Sequence, residues 1–117
     1  MLKKMAAITC FLFVTFFAFQ AFAIDLTGTW FGDDGATYFI TQIGSEVWWF
    51  GQSGDVAPFF TNVAHGNTDG LALLLTWVDV PKGVTTSSGL LGIQILSDTD
   101  MKLVYQSGGF GAMNWTR

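Results

Sequence analysis

The chain has 117 residues, one cysteine, and nine acidic against five basic side chains, for a formal charge of −4. That length suits one domain and not two. A lone cysteine precludes an internal disulfide, and the acidic balance makes nucleic acid and anionic lipid poor partners.

The chain begins with Lys3 and Lys4, continues through an apolar stretch from Met5 to Phe19, and reaches "AFA" at Ala23. A charged start, a short apolar run and a small-x-small end have the form of a Sec-type secretory signal peptide. A retained anchor is the weaker alternative, because a spanning helix wants a longer run. Cys10 follows Thr9, where a lipoprotein signal usually has Gly or Ala, and too few apolar residues precede it. Residues 1–23 are therefore expected to be removed, leaving 24–117 as a single domain in the periplasm or the medium. Removal takes two of the five basic residues, the only cysteine and none of the nine acids, so the net charge becomes −6. Side-chain packing and the sheet ladder must then hold the domain together without a covalent staple.

After residue 23 short strand-like runs alternate with turn residues. In chain order the runs are "LTGTWFG" (26–32), "ATYFITQI" (36–43), "EVWWFGQ" (46–52), "FFTNVAHG" (59–66), "LALLLTWVDV" (71–80), "LLGIQIL" (90–96), "MKLVYQS" (101–107) and "AMNWTR" (112–117). Between them stand "DDG", "GS", "SGD", "NTDG", "PKGVTTSSG", "SDTD" and "GGFG". No stretch keeps a helical period for three turns. Eight short strands with frequent turns predict an all-β domain. Short connections favour sequential antiparallel neighbours, hence an eight-stranded antiparallel up-and-down β-barrel. A two-sheet β-sandwich is the alternative.

The tightest turn, Gly44-Ser45, fixes a register if it is a two-residue hairpin loop. Ile43 then faces Glu46, Ile40 faces Trp49 and Phe39 faces Phe50. One face of the hairpin carries Tyr38, Ile40, Gln42, Val47 and Trp49, and the other carries Phe39, Thr41, Trp48 and Phe50. The first set is assigned to the interior, together with Leu73, Leu75, Leu91, Ile93, Ile95 and Leu103. A barrel of this size is mostly filled by such side chains. Phe39, Trp48 and Phe50 are left as an exposed patch, and contiguous apolar patches on soluble proteins mark contact sites. A loop such as 53–58 folded over them is the alternative.

"GTW" (Gly28 to Trp30) on the first strand and "WTR" (Trp115 to Arg117) on the last resemble the calycin arrangement of lipocalins and avidins. The resemblance implies an up-and-down barrel in which Gly28, Trp30 and Arg117 are structural, with the Arg117 guanidinium lying over the Trp30 ring. The longer string "GTWFGDDGATYFITQIGSEVWWFG", with "DVPKG" and "GGFGAMNWTR", is similar to a family of small secreted proteins of unknown function. That second likeness carries over no activity.

Catalytic chemistry finds little support. His65 is the single histidine, with Asp69 or Asp55 as its only orienters in a triad, and no nucleophile elbow accompanies it. Glu46 is the single glutamate, and the aspartates sit mainly in turns, where the side chain has a structural use. Asp33 with Asp34, and Asp98 with Asp100, lack the spacing of a calcium loop, and zinc ligands are missing. The expected function is a non-enzymatic binding module without metal or cofactor. Its ligand would be a carbohydrate or other small amphipathic molecule stacked on Phe39, Trp48, Phe50 and Trp77, with Gln52, Asn62 and Asp79 as hydrogen-bonding groups. The alternative is a protein-interaction or inhibitor module that uses the same aromatic face for a homodimer or a partner.

Overall fold

The computed structural model describes residues 24–117; the signal-peptide reading of residues 1–23, with Cys10, lies outside the described residues. The strands are β1 (Gly28–Gly32), β2 (Thr37–Ile43), β3 (Glu46–Gln52), β4 (Thr61–Thr68), β5 (Ala72–Asp79), β6 (Ser88–Ser97), β7 (Asp100–Gln106) and β8 (Asn114–Thr116). Each pairs antiparallel with the next, and β8 returns to β1 through Phe31 opposite Thr116 and Gly32 opposite Trp115. The domain is thus a closed up-and-down barrel of eight strands. Every strand has two neighbours, which removes the open edges a sandwich would keep.

Alternation divides the residues in most strands; it breaks in β7, where Val104 and Tyr105 are both exposed and the pairing with β6 shifts register. In β5, Leu73, Leu75 and Trp77 point inward, while Leu74, Thr76 and Val78 point out. Four of the five tryptophans, Trp30, Trp49, Trp77 and Trp115, are buried in the barrel with Tyr38 and the aliphatic residues of β5 and β6. Tyr38 meets Trp49 edge-on at 5.1 Å between ring centroids and Trp115 at 5.9 Å. Phe110 meets Trp77 edge-on at 4.9 Å. Burying one large apolar side chain is worth about 1.5–3 kcal/mol, so these rings supply much of what a disulfide would otherwise add.

Most of the buried polar tips find partners. The Trp30 indole donates to the Leu26 carbonyl at 2.9 Å, Trp49 to the Asn62 side-chain oxygen at 2.9 Å, and Trp77 to the Ser107 carbonyl at 3.1 Å. The Trp115 indole N–H alone among these rings has no partner in the described fold.

One strand differs from expectation. β4 runs from Thr61 to Thr68 rather than from 59 to 66, because Gly66 is not a terminator. It lies inside the strand opposite Val47 and Leu75, and any Cβ there would be driven into the Leu74 carbonyl. Phe59 and Phe60 are thereby released into the β3–β4 loop.

The two ends of the barrel differ in build. At one end the β2–β3, β4–β5 and β6–β7 connections are tight turns of two or three residues. Arg117 closes this end. Its guanidinium lies 4.3 Å over the Trp30 ring and donates to the carbonyls of Thr27, Asp25 and Asp98. Replacing Arg117 with Ala is expected to cost about 1–2 kcal/mol. Lys should recover only part of this, lacking the planar fork; urea unfolding of the three proteins checks the order. At the other end lie the four longer connections, 33–36, 53–60, 80–87 and 107–113.

Candidate functional site

The β2–β3 hairpin has the expected register at every pair from Tyr38–Gly51 to Ile43–Glu46. Tyr38, Ile40, Val47 and Trp49 are buried, and Phe39 and Trp48 are 45% and 38% exposed. Gln42 reaches the rim at the tight-turn end, where its amide accepts from the Leu26 N–H and donates to the Gly44 carbonyl.

Register carries the outer residues into two cross-strand rows. Phe39, Phe50, Val63 and Val78 stand side by side on β2 to β5, and Thr41, Trp48, His65 and Thr76 form the next row. Phe39 and Phe50 are nearly parallel, 6.5 Å apart, and Trp48 stacks on His65 at 4.8 Å. Glu46 lies 3.5 Å from the imidazole Nε2. The side chains of the two rows line a shallow groove of about 660 Å³. The 53–60 loop leaves Phe39 and Trp48 uncovered, because it is tied to the 80–87 loop by a hydrogen bond from the Val84 N–H to the Phe59 carbonyl.

The other expected ligand residues do not join this face. Trp77 is next to Val78 and so has the opposite orientation; it is 3% exposed and cannot serve as an open stacking platform. Asn62 is equally buried and accepts from Trp49. Asp79 accepts from the Ser87 N–H at 2.8 Å, and Gln52 donates to the Asp55 carboxylate at 2.9 Å.

Trp77, Asn62 and Asp79 instead meet at the long-loop mouth, where they line a cavity of about 260 Å³ with Asp34, Tyr38, Phe60, Thr85 and Phe110. "DDG", "DVPKG" and "GGFG" all come together here. Gln106 accepts from the N–H groups of both Gly109 and Phe110, each at 3.1 Å, which seats the Phe110 ring on Trp77. Gly108 has φ 85°, and a Cβ on it would strike the Ser88 carbonyl and come within 3.0 Å of the Trp77 ring. Only glycine fits that corner.

Tyr38 donates to the Asp34 carboxylate at 2.8 Å. Burial, then the neighbouring Asp34 charge, push the phenol upward from its ordinary value, so it stays a protonated donor. A signal for this mouth exists in the sequence. In an up-and-down meander the first, third, fifth and seventh connections share one end, and those connections hold "DDG", "SGD", "PKGVTTSSG" and "GGFG".

Asp33 latches this end. Its carboxylate accepts from the Met113 N–H at 2.8 Å and from the Asn114 amide at 3.0 Å. These bonds, Met113's foremost, hold its carboxyl below the usual Asp value against a smaller opposing effect of burial. A lowered folded pKa means stabilisation that is present above the unfolded value and is lost as pH falls through the folded one. Stability is therefore expected to hold from neutral pH down to about 5 and to decline below about 4. Asp33→Asn should shed part of that decline, as denaturant midpoints across this range would show.

Two further carboxylates are engaged locally. Asp69 accepts from the Leu71 and Ala72 N–H groups, both at 2.9 Å, and Asp100 accepts from Ser97 and Thr99. Comparison with protein-family models, with curated proteins and with solved structures finds no match to this chain.

Proposed function

We propose that this barrel is an exported, non-enzymatic binding module whose outer β2–β5 face takes an extended carbohydrate chain. The observation that carries the reading is Trp48: four indoles are consumed by the core, and the fifth stands at the surface in a row with Thr41, His65 and Thr76. A sugar ring offers C–H groups to an aromatic face and hydroxyls to polar neighbours. The shallow groove suits several residues of a chain better than one enclosed monosaccharide.

Glu46 and His65, the titratable pair on this face, lie 3.5 Å from each other. Glycoside hydrolysis instead wants two carboxyl groups facing across a cleft. Among the described residues no helix is long and apolar enough to cross a membrane. Seven of the eight strands are eight residues or shorter, below the ~9–11 of a membrane-spanning strand. The strand lengths support a chain that does not span a bilayer.

A second reading, a contact face for another protein or a second copy, is favoured by one observation. Val63 and Val78 extend the aromatic row, and Leu74 and Leu90 are exposed beyond it. A sugar has no use for that aliphatic border, and a protein interface does. Tryptophan emission titrated with cell-wall and plant polysaccharides tests the first reading, with light scattering to report mass. A blue shift with one polysaccharide and a monomeric mass is the expected result. No shift with any of them, and the mass of a dimer, would replace the first reading with the second.

A further inference from the structure

The mouth cavity is separate from the outer face, and its chemistry is different. Its lining is aromatic, with Phe59 exposed, Phe60 partly buried and Phe110, Tyr38 and Trp77 buried, and Asp34 and Asp79 belong to the same lining. Among the described residues the only ion pair is His65 with Glu46, so neither aspartate has a cationic partner. Lys82 is the basic residue of this end, and its ammonium is directed to the Asp55 carbonyl instead. Asp33 and Asp55 add negative charge on the neighbouring loops. One-signed charge beside low-dielectric walls concentrates the field inside a cavity.

A further group in the wall is unsatisfied. Thr85 belongs to the cavity lining, and its hydroxyl, shielded from solvent, has no hydrogen-bond partner in the described fold. The loop that carries it is firmly built. Thr61 donates its hydroxyl to the Val80 carbonyl at 2.6 Å and accepts from the Gly83 N–H at 3.1 Å. Lys82 is held at φ 135°, a conformation that surroundings must impose on a non-glycine residue.

We infer that the mouth cavity binds a small organic cation, an alkylammonium or alkylguanidinium head group, between Asp34 and Asp79 and against the Phe59, Phe60 and Phe110 rings. Aromatic faces attract such cations, more strongly where water is excluded. Asp34 and Asp79 supply the countercharge. The cavity of about 260 Å³ equals roughly nine water molecules at ~30 Å³ each. That admits a head group and a short alkyl chain and excludes a disaccharide. This site goes beyond the carbohydrate face and does not depend on it.

The test is a titration of the purified protein with tetramethylammonium, n-butylammonium and n-butylguanidinium, each beside a neutral counterpart: tert-butanol, n-pentanol and n-butylurea. The Trp77 indole N–H resonance is the readout. The cations should shift it saturably and the neutral compounds should not, and the affinity should fall as salt rises from about 20 to 500 mM. Asp34→Asn and Asp79→Asn keep an acceptor for Tyr38 and for the Ser87 N–H, and each should weaken binding about tenfold or more. Asp98→Asn at the opposite end and Trp48→Ala on the outer face should leave it unchanged.

Neutral counterparts that bind as well as the cations would overturn the inference, as would no cation shifting Trp77. Wild-type affinity in both Asn variants would do the same. If either variant fails to fold, the salt dependence and the neutral counterparts still decide. Failure of the polysaccharide titration would leave these results untouched, because the two sites have different reporters.

Discussion

Trp115→Ala is expected to lower stability by about 3–5 kcal/mol, the usual range for removing a large buried ring. Domains of this size have only about 5–15 kcal/mol to lose, and each kcal/mol moves the melting temperature by about 4–8 °C. The melting point should fall by at least about 12 °C. The reason is position: Trp115 is fully buried and touches Tyr38, Trp49 and Phe110 at centroid distances of 5.9, 5.8 and 6.1 Å. It also sits on β8, a strand of three residues whose pairing with β1 closes the barrel. A cavity at that seam removes contacts from the shortest ladder in the sheet.

Phenylalanine scanning separates packing from hydrogen bonding in the same core. Trp115→Phe deletes an indole N–H that has no partner, so relief of a buried unsatisfied donor, worth about 1–3 kcal/mol, offsets the lost volume. Trp49→Phe makes the same change in volume but strips the donor from Asn62, which is itself buried. Trp49→Phe should therefore be the more destabilising of the two, although the substitution is chemically identical. Equal losses would mean that volume alone governs this core.

The barrel was legible because period-two alternation and short polar breaks survive in almost every strand. The Gly44-Ser45 turn is enough to set six cross-strand pairs correctly, from Ile43–Glu46 to Tyr38–Gly51. Gly66 shows where such reading fails. Glycine ends strands in turns, and it also sits inside strands where two backbones approach closely, and only the position of the Leu74 carbonyl distinguishes the cases.

Site residues were harder for a related reason. Chemistry alone groups Trp77 with Trp48, but the ladder runs Trp48 to His65 to Thr76, so the indole one residue later faces the core. The mouth depends on loop residues, Phe60, Thr85 and Phe110, whose side-chain directions follow no period. Loop parity could have placed them at one end, but only the fold shows them around one cavity.

Trp48→Ala is expected to weaken polysaccharide binding by about 30-fold or more, the loss of roughly 2 kcal/mol or more that marks an aromatic anchor at the centre of a contact. Stability should change by no more than about 1 kcal/mol. The ring already stands at the surface, and its main intramolecular contact is the stack on the exposed His65. The neighbouring substitution gives the comparison its force. Trp49→Ala removes the same side chain one position along the same strand, yet it should cost about 3–5 kcal/mol, since Trp49 packs against Tyr38, Phe110 and Trp115. Chemical denaturation and polysaccharide titration of the pair therefore read strand parity directly. If Trp48→Ala binds polysaccharide within about twofold of the wild type, the indole is not the anchor, and the aliphatic border of Val63, Val78 and Leu90 becomes the stronger evidence, pointing to a protein partner.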